Sequence, residues 1–428
     1  FEITATGNET TEVRNEEEMR EKGVGAGLIG LFLYAFMPNI IAHSQLVTTD
    51  LGFAAFSFIA LYYLWKYVKN PTQKDIILSG LILGLALVSK FSAVFLLPIF
   101  FILLVIYIWQ KQARSSWLLK INSLLKIIIF IFGPALFVVW ASYFFSSDPL
   151  FYWKGLKTVY IDSNPDYFYY LSGSFKSGGW WYYFLWAFII KTPTPFLIAL
   201  AIAIFSYKKY KFDLLSSLFI FLPICVFFFM ASWKAHNIGV RYILPVYPFL
   251  ILFISGYISE IIQNSSASWR IEFRIASTKI KIVSILIFVL AGWYVFSAVS
   301  IYPNYLAYFN ELVGGSSNGY KYLDDSNVEW GQDLKRLAKY QEQNPNLQVA
   351  YVWDTYIDAG HLYGIKNILS LDSEKLWLNP KGKYAVSTHA VIRTKLASQL
   401  SGNDKMNWMD RYKPIDRIGQ SFFIYEFP

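Results

Sequence analysis

The sequence has one cysteine, few charged residues and none of the loops that usually bind nucleotides. Charged residues make up 16% of its 428 residues, whereas roughly 25% is usual in soluble globular proteins. The single Cys225 excludes a disulfide within this sequence and a cysteine-rich metal site. Neither a P-loop nor a GxGxxG motif after a strand is present, which excludes chemistry based on ATP or a dinucleotide bound in the usual way.

Apolar residues are plentiful and lie in blocks. Hydrophobic residues make up 55% and aromatic residues 19% of the chain, and before residue 300 they form runs of about 18 to 25 residues, the length that crosses a hydrocarbon core. Residues 302–428 have the composition of a soluble domain. The sequence therefore predicts a polytopic α-helical membrane protein with nine spans and a C-terminal α/β domain. The predicted spans are 24–42, 51–67, 76–89, 92–109, 122–146, 181–206, 214–232, 242–260 and 282–301.

The basic residues predict the orientation of these spans. The net charge is +9, and Lys and Arg concentrate in short loops between apolar runs, which indicates membrane orientation rather than nucleic-acid binding. With nine spans these loops share one side, which the positive-inside rule makes cytoplasmic. The basic loops are 66–75, 111–121, 207–213 and 261–281. The polar stretches predicted to lie on the outer side of the cell membrane are 43–50, Lys90, 147–180, 233–241 and 302–428.

Three regions follow from this pattern. Residues 1–23 are polar and acidic, which predicts a disordered or poorly packed start and does not fit a signal peptide. Residues 24–301 form the predicted transmembrane domain, with an outer loop over 147–180. Residues 302–428 form the predicted extracytoplasmic α/β domain, with a helix at 330–343 and strands at 347–353, 384–392 and 422–427.

The stretch PNIIAHSQLVTTD, residues 38–50, ends in polar residues between two apolar runs. A carboxylate at such a position is costly unless it faces water or a partner, so Asp50 is a candidate functional residue. Asp is also a favoured N-cap residue. The alternative is therefore that Asp50 only caps the helix that follows.

Further titratable residues lie at other breaks in the apolar pattern. Lys90 separates two apolar segments, and Lys191 lies in IIKTPTPF, where prolines break the helix. The Lys191 ammonium group either snorkels to the membrane interface or holds an anionic head group. Lys234, His236 and Arg241 lie within eight residues on the predicted outer side, a pattern that favours an anion site.

Two polar regions allow both a functional and a structural interpretation. The loop 147–180 carries Asp162, Asp166 and many aromatic residues, so it forms either a lid or groove wall or an aromatic belt at the membrane interface. The acidic residues of DDSNVE, 324–329, either hold a divalent cation or are helix caps and solvated surface.

Five segments, taken together and in order, resemble the polyprenyl-phosphate-sugar-dependent glycosyltransferases of the protein mannosyltransferase type, glycosyltransferase family 39. That family shares the GT-C fold with the lipid A aminoarabinose transferases. The segments extend over nearly everything from residue 24 on, and they are specific to the family but not to a substrate. They are PNIIAHSQLVTTD (38–50), GLILGLALVSKFSA (80–93), SGSFKSGGWWYYF and KTPTPF (172–196), AHNIGVRYILPVYPF (235–249), and LAYFNELVGG and DDSNVEWGQDL (306–334).

The resemblance implies an enzyme that moves a sugar from a polyprenyl-phosphate-linked donor to a protein, lipid or glycan acceptor at the outer membrane face. The lipid tail would lie between helices in the bilayer, so no soluble cofactor is required, and a divalent cation is an open alternative. Within the matching segments, the resemblance implies that Asp50 is the catalytic residue. It implies that substrate and phosphate are bound by Lys90, Lys191, His236 and Arg241. Asp162, Asp166 and Trp330 are candidates for the acceptor side.

The chain departs from the family at its start. Family members have an earlier helix pair whose outer loop carries the Asp-Glu usually assigned as catalytic base, and residues 1–23 do not supply it. Either the sequence continues upstream or the protein lacks that base. Two alternatives to an enzyme follow. One is a transport-type protein, although the sequence has no convincing internal repeat of the kind that transporters show. The other is a non-catalytic membrane protein of envelope biogenesis on the same scaffold.

Overall fold

The structure is a computed structural model, and it divides into two compact units. It describes residues 23–148, 150–161, 167–206, 213–234, 236–271, 278–351, 358–369 and 380–428. The first unit consists of Phe1–Asn164, Thr194–Ala235 and Arg241–Phe296. The second unit consists of Pro165–Pro193, His236–Val240 and Ser297–Pro428. The predicted boundary at residue 301 lies near Ser297, but the second unit also takes two stretches that the sequence analysis placed in the transmembrane domain.

The chain before residue 300 is mainly helical. Its helices are α1 (Gly23–Ala35), α2 (Pro38–Ser44), α3 (Asp50–Lys69), α4 (Gln73–Ser89), α5 (Leu96–Lys111), α6 (Trp117–Ser142), α7 (Phe151–Ile161), α8 (Tyr183–Lys191), α9 (Thr194–Ser206), α10 (Leu214–Lys234), α11 (Val246–Ile271) and α12 (Thr278–Val299). The predicted outer loop 147–180 thus contains a helix, and it also contains the strands β1 (Phe168–Leu171) and β2 (Ser174–Ser177).

Among the described residues, four helices are long and apolar enough to cross a membrane, namely Asp50–Lys69, Phe91–Lys111, Trp117–Ser142 and Leu214–Trp233. Two broken pairs, α1 with α2 and α8 with α9, raise the number to six if each pair counts as one span. The chain is therefore a polytopic, mainly helical membrane protein. Each of the nine predicted segments contains a helix, and 181–206 contains the two helices α8 and α9, but the count of nine spans stays a prediction.

Glycines bring two helices of the first unit together. Helix α4 packs against both α3 and α6. A Cβ atom on Gly80 would lie 2.3 Å from the Ile131 carbonyl oxygen, and one on Gly84 would lie 2.7 Å from that of Ala135. Small residues four apart allow such close backbone approach, which drives helix association in membranes. The α4–α6 contact therefore depends on both glycines.

The second unit contains a five-stranded mixed sheet. Its elements are α13 (Leu334–Gln343), β3 (Gln348–Ala350), α14 (Ala359–Tyr363), β4 (Ile368–Leu369), β5 (Gly382–Ser387), α15 (Thr388–Ser401), α16 (Trp408–Arg411), β6 (Asp416–Ile418) and β7 (Phe422–Phe427). The strand order is β4-β3-β5-β7-β6. Strand β3 is parallel to β4 and β5, whereas β7 is antiparallel to β5 and β6.

Both faces of this sheet are covered. Along β7, Phe422 and Ile424 pack with Leu334 and Leu337 of α13. The alternate residues of the strand pack with α15 and Trp408, and they are Phe423, Tyr425 and Phe427. This alternation follows the two-residue period of a strand. The predicted α/β character of the tail is present in the described residues.

One predicted strand of the tail is wrong in its second half. The sequence analysis extends a strand over 384–392, but β5 ends at Ser387. The Ser387 hydroxyl accepts a hydrogen bond from the Ala390 backbone N–H at 3.2 Å and so caps α15. An apolar run cannot by itself distinguish a strand from a buried helix, and the cap decides the structure here.

Candidate functional site

Asp50 and Lys90 form an ion pair in the first unit. Asp50 is the first residue of α3 and only 2% of its surface is exposed. Lys90 follows the last residue of α4 in an extended conformation, and its Nζ donates a hydrogen bond to Asp50 Oδ1. The N-cap residue of α3 is Thr49, and its side chain makes no cap hydrogen bond, so the alternative in which Asp50 is the N-cap residue is wrong. Its carboxylate instead contacts a residue 40 positions away.

Arg241, Tyr242 and His43 surround this pair. Lys90 Nζ lies 4.7 Å from the centroid of the Tyr242 ring, and Arg241 Cζ lies 5.2 Å from the same centroid. Arg241 and His43 are close enough to Asp50 to attract its carboxylate electrostatically. The Asp50 carboxylate thus lies near two basic side chains, Lys90 and Arg241.

Lys191 lies in a different setting, buried in the second unit. It is 1% exposed, and its ammonium group donates to the carbonyl oxygens of Leu306 and Asn327, both at 2.6 Å. The ammonium nitrogen also lies 4.5 Å from the centroid of the Phe309 ring. These contacts hold the 305–327 segment to the end of α8. Such burial does not fit a snorkelling ammonium group, and the role of Lys191 in holding an anionic head group stays a prediction.

Asn327 is a residue that the sequence analysis did not single out. Its side-chain Oδ1 accepts from the Val240 backbone N–H at 3.0 Å, and its Nδ2 donates to the Tyr183 hydroxyl at 2.8 Å. It therefore fixes the stretch His236–Val240, which directly precedes Arg241 in the sequence. The only signal for it was its place inside the DDSNVE motif.

The other predicted site residues are placed as follows. His236 Nδ1 lies 2.5 Å from the Tyr169 hydroxyl, within the second unit. Trp330 is partly buried, and its backbone N–H donates to Gln332 Oε1 at 2.6 Å. Asp162 and Asp166 lie outside the described residues. Asp50, Lys90 and Arg241 are thus brought together in the first unit, whereas Lys191, His236 and Trp330 belong to the second.

The acidic motif 324–329 is buried rather than a solvated surface, which corrects one of its predicted interpretations. Asp324 accepts from His389 Nδ1 at 2.8 Å and from Arg393 Nη2 at 3.2 Å. Glu329 Oε2 accepts from the His389 backbone N–H at 3.3 Å. Within the described part of the chain, no three His, Cys, Asp or Glu side chains are grouped so that they could hold a metal ion.

Burial and pairing shift the pKa values of this cluster in opposite directions. Burial raises the pKa of Glu329 to about 7 and also raises the pKa of Asp325. The pKa of Asp324 is lowered, because attraction to His389 and Arg393 outweighs the effect of burial, and the partner His389 has a raised pKa. Glu329 is therefore about half protonated at neutral pH, whereas Asp324 is ionised.

The geometry so far defines a polytopic membrane protein with a cation-rich cluster at the start of α3. Residues 21–140, which include Asp50 and Lys90, match a family model described as dolichyl-phosphate-mannose-protein mannosyltransferase. No curated protein and no solved structure matches the chain. The family match confirms the resemblance to the protein mannosyltransferase-type GT-C family and, with the apolar helices, indicates an integral membrane glycosyltransferase.

Proposed function

We propose that the protein transfers a sugar from a polyprenyl-phosphate-linked donor, of the dolichyl type used by the matching family, to an acceptor at the outer face of the membrane. The acceptor is a protein, a lipid or a glycan. The observation that carries the proposal is the cluster of Asp50, Lys90 and Arg241. It supplies a carboxylate and two cations, the groups that such a transfer needs.

Lys90 and Arg241 are suited to stabilise the phosphate that leaves the sugar. When the bond between the anomeric carbon and the phosphate oxygen breaks, the phosphate keeps the electron pair and gains negative charge. Fixed cations in a largely dry site stabilise that charge, and Arg offers a fork of donors where Lys offers a point charge. Lys90 and Arg241 lie beside the same Tyr242 ring, and this proximity supports their assignment as the phosphate clamp.

The carboxylate suits the acceptor. The acceptor hydroxyl must lose a proton as its oxygen forms the new bond to the anomeric carbon, and a nearby carboxylate can accept that proton as general base. Donor phosphate competes with Asp50 for the Lys90 ammonium group, and the carboxylate released in this way takes the proton. The reaction is a single displacement with inversion at the anomeric carbon.

The buried contacts of the second unit support positioning roles there. Lys191 holds the 305–327 segment, and Asn327 holds the stretch that carries His236. We assign His236 to substrate orientation, and Asp162, Asp166 and Trp330 to the acceptor side. From the nine predicted spans and the basic loops, we also propose that the protein lies in the plasma membrane with its C-terminal domain on the extracytoplasmic side.

The test is transfer of labelled sugar from dolichyl-phosphate mannose by the purified protein. Asp50→Asn is expected to lower the rate by roughly 10² to 10⁴, the usual contribution of a general base. Asp148→Asn is the matched control, because this carboxylate pairs with the exposed Lys154 and lies outside the cluster; it should leave transfer unchanged. Normal turnover by a folded Asp50→Asn variant would remove Asp50 from the site.

A second variant separates the donor from the acceptor. Arg241→Ala should raise the KM for the donor lipid more than that for the acceptor, because the guanidinium group contacts the phosphate. Tyr242→Leu keeps Arg241 and removes only the ring beside it, so it should have a smaller effect. An unchanged donor KM in Arg241→Ala would contradict the clamp.

A further inference from the structure

The β1–β2 hairpin of the second unit is small and depends on contacts outside itself. Each strand has four residues, and the two strands form a sheet of their own, in register from Phe168 with Ser177 to Leu171 with Ser174. A hairpin of only two strands is marginally stable by itself. Residues elsewhere in the unit therefore determine where the side chains of the hairpin lie.

The segment 321–322 holds the end of β1 nearest the turn. The Ser172 N–H donates to the Tyr322 carbonyl oxygen at 2.9 Å, and the Tyr170 hydroxyl donates to the Lys321 carbonyl oxygen at 2.8 Å. Both contacts lie away from the first residue of the strand. The start of β1 is therefore held by other residues.

Arg393 of α15 holds the start of β1. Its Nη1 donates to the Phe168 carbonyl oxygen at 2.7 Å, and its Nη2 donates to the Tyr167 hydroxyl and, at 3.2 Å, to Asp324 Oδ2. The guanidinium carbon also lies 4.7 Å from the centroid of the Tyr167 ring. Only 14% of the Arg393 side chain is exposed. A planar fork of donors can reach a carbonyl, a hydroxyl and a carboxylate at once, whereas the compact ammonium group of a lysine is a point charge.

Tyr169, the residue after Phe168 in β1, contacts His236. The Tyr169 hydroxyl lies 2.5 Å from His236 Nδ1, the two ring centroids are 6.1 Å apart, and Tyr169 is 6% exposed. A hydrogen bond at one ring nitrogen of an imidazole fixes the state and the direction of the other. A shift at the start of β1 would move the Tyr169 hydroxyl away from His236, because the two positions are adjacent in the strand.

We propose that Arg393 is a positioning residue that orients the His236 ring through β1 and Tyr169. The C-terminal domain then contributes to substrate orientation through α15, without touching substrate itself. This consequence for catalysis rests on the proposed function, in which His236 orients the substrate. The coupling between Arg393 and His236 rests on the contacts alone, so it can be tested without sugar transfer.

The experiment is ¹H–¹⁵N NMR of the imidazole nitrogens in ¹⁵N-histidine-labelled protein in lipid nanodiscs. The chain has four histidines, and the signal lost in His236→Gln assigns His236. Tyr169→Phe removes the hydroxyl and should shift the His236 Nδ1 resonance. Arg393→Met should shift it in the same direction. The double variant should match Tyr169→Phe alone, because residues that act through one contact do not have additive effects.

Arg417→Met is the matched control. Arg417 belongs to the same domain, donates from Nη2 to the Ser317 carbonyl oxygen at 3.0 Å and lies 4.4 Å from the centroid of the Phe423 ring. It thus resembles Arg393 in its contacts, but its hydrogen bonds go to residues outside the hairpin. The His236 resonances of Arg417→Met should equal those of the wild type.

Arg393→Lys is a conservative second variant. It keeps a positive charge for Asp324 and loses the fork of donors, so its His236 resonance should lie between those of the wild type and Arg393→Met. If Arg393→Met does not fold, Arg393→Lys and its combination with Tyr169→Phe decide the question in the same way.

The outcomes separate this proposal from the proposed function. Wild-type His236 resonances in the Arg393 variants, or shifts that add to that of Tyr169→Phe, would overturn the proposal. In sugar transfer, Arg393→Met should lower kcat by up to roughly 100-fold, the effect of a small misplacement caused far from the reacting atoms. Normal transfer with a shifted His236 resonance would refute the role of His236 in the proposed function and leave the coupling to Arg393 intact.

Discussion

The Asp50–Lys90 pair can be tested by a double-mutant cycle that separates its effect on stability from its effect on chemistry. The variants are Asp50→Asn, Lys90→Met and the combination of the two. Each single variant removes one charge and leaves the other at a site where the side chains are only 3% and 20% exposed. The double variant removes both charges and keeps side chains of similar volume.

The burial of the pair sets the expected magnitudes. Breaking a buried ion pair by removing one partner costs about 3–5 kcal/mol, because an uncompensated charge remains. In Asp50→Asn the remaining Lys90 also lies near Arg241, a like charge. We expect each single variant to lose about 3 kcal/mol of unfolding free energy. We expect the double variant to lose only about 2 kcal/mol, because it leaves no uncompensated charge in the buried site. Additive effects would instead give a loss of about 6 kcal/mol.

The assay is equilibrium unfolding of the four purified proteins in mixed micelles, followed by tryptophan fluorescence. The pair Asp148 and Lys154 is the control cycle, since it is exposed (32% and 66% of the side chains) and should show a coupling below about 1 kcal/mol. Additivity at Asp50 and Lys90 within about 0.5 kcal/mol would refute the ion pair. The double variant should stay inactive in sugar transfer even though it folds, because the carboxylate and one cation are gone.

Two further predictions concern packing and pH. Gly80→Ala should lower the melting temperature, because its Cβ would lie 2.3 Å from the Ile131 carbonyl oxygen, whereas Gly133→Ala should not, because its Cβ meets nothing within 4 Å; equal melting temperatures would contradict the α4–α6 contact. Burial raises the pKa of Glu329 from 4.5 to about 7, so the folded state holds a proton that the unfolded state releases. Stability should therefore fall as pH rises from 4.5 to 7 and change little above it, and Glu329→Gln should flatten that part of a melting-temperature profile.

Much of the fold before residue 300 could be predicted because membrane-length apolar blocks leave few alternatives. The bilayer core offers no water to satisfy the backbone, so such blocks form helices. The ends of the helices followed from local chemistry too. Helix α4 ends at Ser89 and Lys90 is extended, and α8 and α9 separate around Thr192 and Pro193. Each of these breaks had a visible cause in the sequence, a charge or a proline.

Contacts between distant residues could not be predicted in the same way. Asp50 and Lys90 were placed on the same side of the membrane, but nothing in their spacing showed that they touch. The pairing of Asp324 with His389 and Arg393 joins residues 65 or more positions apart. Such contacts depend on how helices and strands pack against one another. The sequence pattern shows only the hydrophobic period within each helix or strand, so it does not predict these contacts.

Two ion pairs on the α3–α4 helix hairpin differ in their surroundings. Asp75, in the first turn of α4, pairs with Lys66 at 3.0 Å and accepts from the Thr72 hydroxyl at 2.6 Å. Thr72 in turn caps α4 by accepting from the Asp75 N–H, so this pair closes a local motif at the turn between α3 and α4. Asp50 and Lys90 join the opposite ends of the same two helices, and Arg241 and His43 also lie close enough to attract the Asp50 carboxylate. The Asp75 pair thus belongs to a local helix cap, whereas the Asp50 pair brings Lys90 next to Arg241 on either side of the Tyr242 ring. In the reaction that we propose, these two cations bind the lipid-linked phosphate, which a helix-capping pair could not do.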